Sequence, residues 1–122
     1  MKRDIDLVRK LLLYLEEKSD DEMVKDLKLE GYSIDVVRYH FILMDQAGLI
    51  RCERSVSSST SDRVICVYPF SLTWEGHELL EASRNETFWN KAKEKVKTES
   101  GALSVDVIKT LLIAMAKESV GL

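Results

Sequence analysis

The sequence predicts an α+β fold, mostly α, built as a winged helix-turn-helix-like core with a β-hairpin wing and two additional C-terminal helices. Residues 33–47 show one apolar face at helical spacing, made by Val37, Phe41 and Met44. Gly48 then favours a helix end, and the alternating, β-branched segments 50–56 and 63–69 favour two antiparallel strands. A helix that ends at Gly48 and continues directly into a hairpin is typical of a recognition helix followed by its wing.

The elements before this helix begin with a predicted helix over residues 4–17. Asp4 is suited to cap it, and its apolar stripe consists of Ile5, Val8, Leu12 and Leu15. Residues 23–29 alternate apolar and charged side chains, which favours a short strand over half a turn of helix. Most winged helices have a full second helix at this point, so here we expect that helix to be truncated or replaced.

The hairpin is predicted to have a polar tip and a defined end. Residues 57–62 form a loop of serines, threonine and aspartate, and Pro69 is expected to end the second strand because it lacks an N–H. If the hairpin is symmetric about Ser59, Cys52 and Cys66 lie opposite each other and a disulfide is conceivable. Since a cytosolic protein keeps its thiols reduced, two buried small apolar side chains are the favoured interpretation.

The C-terminal part is predicted to be helical. A helix begins at the N-cap Thr73, breaks near residues 85–87, and continues to about residue 97; a turn over 98–101 precedes a last helix over 104–119. We therefore expect a winged-helix domain over residues 1–84 and a helical extension over 85–122, which packs on the core or on a dimer partner.

Composition limits the class of protein. The chain has 122 residues, is 45% hydrophobic and 32% charged, and carries a net charge of −3. No apolar run approaches the roughly 20 residues that span a bilayer, and the N-terminal segment lacks the pattern of a signal peptide. We expect a cytoplasmic protein without membrane contact, in which any binding to phosphates depends on a local basic patch.

The chain resembles a small family of bacterial phage and prophage proteins, a domain of unknown function. The segments that carry the resemblance are MKRDIDLVRKLLL (1–13), LEGYSIDVVRYHFILMDQAGLI (29–50) and, most specifically, LTWEGHELLEASRNETFWNKAKEKV (72–96). The resemblance covers nearly the whole chain. It implies a winged-helix-like core and a cytoplasmic, mobile-element context. It implies no activity and no functional residues.

Two groups of residues are candidates for contact with DNA. The first is the face of helix 33–47 that the apolar stripe leaves open, consisting of Ser33, Asp35, Arg38, Tyr39 and Ile42. The second is on the wing, where three arginines flank the serine loop: Arg51, Arg54 and Arg63. Arginines can bind phosphates or guanine edges. The alternatives are that the helix face is solvated or contacts a protein, and that the wing charges protect a sheet edge.

No catalytic, metal or cofactor site is expected. His40 and His77 lack Cys, Asp or Glu partners at ligand spacing, and His40 is expected to make a half-buried polar contact. No nucleophile, glycine-rich phosphate loop or paired-carboxylate pattern is present, so an enzyme is not expected.

Dimerisation is predicted from the last helix, which is apolar more than halfway around. The expected dimer contacts lie beside its main stripe and are Val107, Leu111 and Ile113. The sequence therefore predicts a DNA-binding winged-helix protein, a phage or prophage transcriptional regulator that forms a homodimer and binds duplex DNA. The alternative is an interaction module that uses the same fold to bind a phage or host protein without DNA contact.

Overall fold

The computed structural model describes residues 1–60, 62–99 and 105–119. Within these ranges the chain forms five helices and one antiparallel hairpin: α1 (Ile5–Glu17), α2 (Ile34–Gln46), β1 (Ile50–Val56), β2 (Val64–Leu72), α3 (Trp74–Ala82), α4 (Glu86–Glu99) and α5 (Val105–Ser119). The prediction of a mostly helical α+β protein with a single hairpin is confirmed at this level. The chain divides into two compact units, residues 1–77 and 78–122, with α3 crossing the division. The predicted domain boundary after residue 84 stays a prediction.

Both helices that precede the hairpin begin at the predicted caps. The Asp4 carboxylate accepts the Asp6 and Leu7 N–H groups at 3.0 and 3.2 Å, and the Ser33 hydroxyl accepts the Val36 N–H at 3.2 Å. These bonds satisfy donors that the first turn of a helix leaves open. The core of the first unit then comes from one face of each helix and from the hairpin: Leu7, Leu11, Leu12, Val37, Phe41, Met44, Leu49, Ile50, Val67 and Leu72.

His40 is completely buried, so the expectation of a half-buried polar contact was wrong. Its Nε2 accepts the Asp4 N–H at 2.8 Å, and its Nδ1 lies 2.8 Å from the Val36 carbonyl, to which it donates. An imidazole that accepts at one nitrogen and donates at the other is in its neutral form. His40 is therefore a core residue that joins the start of α1 to α2.

The predicted strand over residues 23–29 is absent. The segment has no regular secondary structure, and the bond that the described residues make between it and β2 runs from the Val24 N–H to the Pro69 carbonyl at 2.9 Å. A ladder needs donors as well as acceptors from each strand, and Pro69 has no N–H to return. The segment therefore lies beside the hairpin at this bond, but it does not form a strand of the sheet.

The hairpin differs from the prediction in register and in length. Cys52 lies opposite Pro69 and Cys66 opposite Ser55, so the symmetric pairing of the two cysteines was wrong and both thiols are free. The register shifts twice, which leaves Ile65 and Phe70 as extra residues on β2. β2 also continues through Pro69 to Leu72, so the expectation that the proline ends the strand was wrong. The Pro69 carbonyl accepts from Val24, which places the edge without a donor on the side away from β1, where a proline is tolerated.

The junction of α2, β1 and α3 is closely packed. Gly48 ends α2 with a φ of 72°, in the left-handed region that the sequence predicted for it. The Thr73 hydroxyl donates to the Gly48 carbonyl at 2.6 Å and accepts the Gly76 N–H at 3.1 Å, which makes Thr73 the predicted cap of α3. The Thr73 N–H donates to the Leu49 carbonyl at 3.0 Å. Three backbone segments are joined at this corner.

The second unit contains α4 and α5. The predicted break near residues 85–87 is confirmed: α3 ends at Ala82, and the Asn85 side chain caps α4 by accepting the Phe88 N–H at 3.0 Å. The side chains of these two helices that the structure describes as buried are Trp89, Ala92, Ile108 and Leu112. α4 continues through Glu99, so the first two positions of the predicted turn over 98–101 are helical and the last two lie outside the described residues. In the described part of the chain no helix combines the length and apolarity needed to cross a membrane.

Candidate nucleic-acid interface

The predicted reading face of α2 is only partly available. Asp35 is exposed in the first turn, where its charge suits the helix dipole, and the Ser33 hydroxyl is engaged as a cap. Tyr39 and Ile42 are half-buried. α2 holds one arginine, Arg38, and no lysine, so the attraction of this face for phosphate depends on that residue.

Arg38 is held by carboxylates of its own chain. Its NH2 group donates to Asp26, which lies in the irregular segment before α2, and its NH1 group is 4.0 Å from Asp35. Its Nε is buried and has no hydrogen-bond partner among the described residues. The guanidinium is therefore partly neutralised and incompletely satisfied in this position.

Arg54 is held more firmly than Arg38. It forms a two-pronged pair with Asp45 of α2, with its Nε and NH2 groups 2.7 and 2.6 Å from the two carboxylate oxygens. The Asp45 side chain is only 9% exposed. This geometry is the strong, directional form of an arginine–carboxylate pair. Arg54 thus fixes the end of α2 against β1, and it is poorly placed to bind an external phosphate.

The pKa values of Asp45 and of the neighbouring Cys52 thiol are both shifted. The hydrogen bonds from Arg54 hold the pKa of Asp45 below its ordinary value. Burial, followed by a hydrogen bond to Asp45, raises the pKa of the Cys52 thiol to about 11. Because the thiolate is the reactive form of cysteine, Cys52 is a poor nucleophile at neutral pH.

The Asp45–Arg54 pair predicts a pH dependence of stability. Since the pKa of Asp45 is lowered by folding, the pair stabilises the protein above the ordinary carboxyl pKa, and this stability is lost as the pH falls through the lowered value. We expect Asp45→Asn to lower the unfolding temperature by a few degrees at neutral pH and to differ less from the wild type in acid. Thermal melts across this range test the prediction. Asp21→Asn is the control variant. An unfolding temperature of Asp45→Asn that lies below that of the wild type by the same amount at every pH would contradict the prediction.

Arg51 and Arg63 are the hairpin arginines without a carboxylate partner in the described part of the chain. The Arg51 guanidinium is 3.5 Å from the Ser71 hydroxyl, and the exposed Arg63 side chain follows the loop. The register places Arg51 at the base of the hairpin, and Arg63 lies opposite Ser57 at the tip, roughly 20 Å away at the rise of a strand. The three wing arginines therefore do not form the single cluster beside the loop that the sequence suggested.

The loop between the strands is organised by Ser57. Its hydroxyl accepts the Ser59 and Thr60 N–H groups, each at 3.2 Å, and the Ser57 N–H donates to the Arg63 carbonyl at 2.9 Å. These bonds leave the side chains of Ser58, Ser59 and Thr60 exposed beside Arg63. Ser61 lies outside the described residues. The tip thus presents hydroxyl groups next to one arginine.

The surroundings of these arginines are acidic overall and apolar in places. Residues 1–77 carry 11 basic and 14 acidic side chains, so a phosphate ligand would find only local attraction. Several large apolar side chains of this unit are exposed, and three of them lie on the hairpin or directly after it: Val56 at 49%, Ile65 at 52% and Trp74 at 79%. These residues are more typical of a protein contact than of a duplex contact.

The predicted dimer residues lie on α5. Val107 and Ile113 are 47% and 37% exposed, and Leu111 is half-buried beside the buried Ile108 and Leu112. At helical spacing, Val107 and Ile113 are about 120° apart around the axis, so they do not form one stripe. Homodimerisation stays a prediction.

A groove of about 340 Å³ in the second unit is lined by Phe88, Lys91, Met115 and Glu118. Its polar side chains are one cation and one anion at the surface. Within residues 1–60, 62–99 and 105–119, no three His, Cys, Asp or Glu side chains come together as metal ligands.

Sequence reasoning missed the two carboxylates that neutralise the candidate arginines. Asp45 had a signal, because a negative charge in the last turn of a helix is unfavourable unless a cation is near. Asp26 had none, since it approaches Arg38 from a segment without a regular pattern.

Comparison with known proteins places the chain in a family. The model of a hypothetical-protein family, DUF2513, matches residues 2–102. The chain belongs to the DUF2513 family. This DUF2513 protein is also 40% identical over 111 residues to an "Uncharacterized protein" of Haemophilus influenzae (strain ATCC 51907 / DSM 11121 / KW20 / Rd), which covers 89% of this chain and 90% of the relative. No solved structure matches it. The expected membership of a family of unknown function is confirmed, while its phage or prophage setting stays a prediction.

Proposed function

We propose that this DUF2513 protein is a cytoplasmic, winged-helix-like protein that binds duplex DNA mainly through its hairpin, in a phage or prophage regulatory setting. The observation that carries the proposal is the state of Arg51 and Arg63, which are exposed on the hairpin without a carboxylate partner in the described residues. Exposed arginines on a wing can neutralise phosphates or enter a narrow minor groove. The hydroxyl groups of the loop can donate further bonds to phosphate oxygens.

The order of elements supports the winged-helix interpretation. α1, α2, the hairpin and α3 follow one another as in such a domain, except that an irregular segment stands where most winged helices have their second helix. Gly48 and Leu49 connect α2 directly to β1. The bond between Val24 and Pro69 supports the same interpretation, because a winged helix has a strand before its recognition helix that lies beside the hairpin. The contribution of α2 to DNA binding is proposed to be small, because Arg38 is paired with Asp26.

The test is a binding titration with duplex DNA of mixed sequence at about 50 and 200 mM salt. We expect Arg51→Ala/Arg63→Ala to weaken binding and to reduce the logarithmic salt slope by about 2, because each lost phosphate contact removes about one unit. The matched control is Lys2→Ala/Lys117→Ala, which removes the same charge from residues that do not belong to the hairpin.

Three outcomes would count against this proposal. Equal losses in the hairpin and control variants would mean that only net charge matters. A normal slope in the hairpin variant would place the contact elsewhere. An absence of binding by the wild type at low salt would reject DNA as the ligand.

A second candidate is favoured by the exposed apolar side chains of the first unit. Val56, Ile65 and Trp74 could anchor a protein partner, which would make the chain an interaction module that contacts a phage or host protein. Val56→Ser/Ile65→Ser distinguishes the two candidates. It should leave duplex binding unchanged under the DNA proposal, and it should abolish capture of the partner under the alternative.

A homodimer is part of the DNA proposal, because two copies are needed to contact a symmetric site. We expect sedimentation of the wild type at high micromolar concentration to show a dimer, and Leu111→Lys/Ile113→Lys to show a folded monomer. If the wild type sediments as a monomer, binding must rest on a single half-site. If the variant unfolds, these two side chains face the core of their own unit.

A further inference from the structure

Arg38 is held at the surface of α2 by exposed ion pairs, which contribute little to its stability in this position. The guanidinium bonds to Asp26 through one nitrogen and lies near Asp35 through another. Both members of the main pair remain open to water, with side chains that are 43% and 59% exposed. Exposed pairs of this kind are readily screened and contribute little to stability.

The remaining nitrogen of the Arg38 guanidinium group makes this position costly for the arginine. Nε is buried without a hydrogen-bond partner in the described part of the chain. A buried donor without a hydrogen-bond partner raises the free energy of the conformation in which it is buried. If the side chain swings outward, this N–H regains a partner in water or in a ligand, which offsets part of the loss of the bond to Asp26.

We propose that Asp26 is an internal competitor of duplex phosphates for Arg38. In the free protein the Asp26 carboxylate accepts a hydrogen bond from the Arg38 guanidinium. In the complex, a backbone phosphate replaces it, and α2 then contributes its single arginine to the interface. This inference rests on the proposed DNA binding and deepens it, since it names the residue that limits the contact made by α2.

The position of Asp26 is set by its segment. Two residues earlier, the Val24 N–H is bonded to Pro69 of β2. Further back, the Lys18 ammonium bonds to the Asp20 carboxylate at 2.9 Å and to the Glu22 carbonyl at 2.8 Å. These bonds hold parts of residues 18–24 in place, so Asp26 directly follows a hydrogen-bonded part of the connection.

The pair between Arg54 and Asp45 provides the contrast. Arg54 uses two nitrogens, and its carboxylate is largely buried, so a phosphate would have to replace two short bonds and leave Asp45 without its cation. The Arg54 side chain itself is 53% exposed, but a largely buried carboxylate that loses its cation is strongly destabilised. Arg38 is therefore the exchangeable arginine, and Arg54 is a positioning residue.

The experiment measures binding of the wild type, Asp26→Asn and Asp26→Asn/Arg38→Ala to the same mixed-sequence duplex. Asp26→Asn should tighten binding about three- to tenfold at low salt and steepen the logarithmic salt slope by about 1, because one more phosphate contact forms. Removing Arg38 in the same background should cancel both effects. The matched control is Asp21→Asn, which makes the same charge change in the same segment without a bond to an arginine.

The outcomes separate this inference from the proposed function. If Asp26→Asn and Asp21→Asn tighten binding equally, the effect is one of net charge and the inference is overturned. If Asp26→Asn binds as the wild type does while Arg51→Ala/Arg63→Ala still loses affinity, the inference fails and the proposed function stands. Tighter binding by Asp26→Asn that is lost again in Asp26→Asn/Arg38→Ala supports the competitor, and an absence of binding by the wild type rejects both ideas.

Discussion

Gly76→Ala is expected to destabilise the protein by about 3 kcal/mol, although alanine is normally the better residue inside a helix. A Cβ at this position would lie 2.2 Å from the Leu49 carbonyl oxygen and 3.3 Å from the Leu72 Cβ. The oxygen cannot move away easily, since it accepts the Thr73 N–H at the same corner. Helix α3 must therefore move away from the Leu49 backbone and from Leu72 of β2, and this movement disturbs the packing of the buried side chains nearby.

Urea unfolding at fixed temperature measures this change. Gly31→Ala is the matched control, because Gly31 has a φ of 87° and open space around its Cβ. It tests backbone strain alone, which is expected to cost about 1 kcal/mol. A Gly76→Ala variant as stable as the wild type would show that α3 does not lie against the Leu49 backbone.

Phe41→Ala is expected to have an effect of about 3–5 kcal/mol, which is the usual range for removing a fully buried phenylalanine. Phe41 is 3% exposed and belongs to the buried face of α2 with Val37 and Met44. Removal of the ring leaves a cavity between packed side chains that cannot all close onto it.

Leu43→Ala is the comparison for this second change, because Leu43 lies on the same helix but is only half-buried. The loss of stability caused by Leu43→Ala should be clearly smaller than that caused by Phe41→Ala in the same unfolding experiment. Equal losses at the two positions would mean that the assignment of the buried face of α2 is wrong.

The helices could be predicted from the sequence because their ends depend on short-range contacts. Asp4, Ser33 and Thr73 each cap a turn that begins at the next residue, and Gly48 ends α2 through its own backbone conformation. Such signals lie within a few residues of the structure that they determine. The predicted ends of α1, α2 and α5 accordingly agree with the structure to within one residue.

The hairpin register could not be predicted, because two extra residues on β2 shift the pairing without a clear mark in the sequence. The symmetric interpretation about Ser59 assumed a regular ladder, which Ile65 and Phe70 interrupt. The strand expected over residues 23–29 failed for a related reason. Alternation of apolar and charged residues describes a face, but it does not ensure that the neighbouring strand offers a donor.

The candidate DNA-contact residues stay a prediction, and the sequence did not reveal which carboxylates pair with two of the arginines. The partners of Arg38 and Arg54 come from other segments. Asp45 lies 9 residues from Arg54, and Asp26 lies 12 residues from Arg38. Contacts of this range are set by the packing of whole elements, which local patterns do not contain.

The bond between His40 and the start of α1 has a consequence for the order of folding. The Asp4 N–H finds its acceptor 36 residues away, in the middle of α2. The N-terminus of α1 is therefore complete only after the intervening loop has closed and the two helices have docked. We expect α1 and α2 to form together in one cooperative step, with neither helix fully stable by itself, and a peptide that contains α1 alone to fray from its first turn.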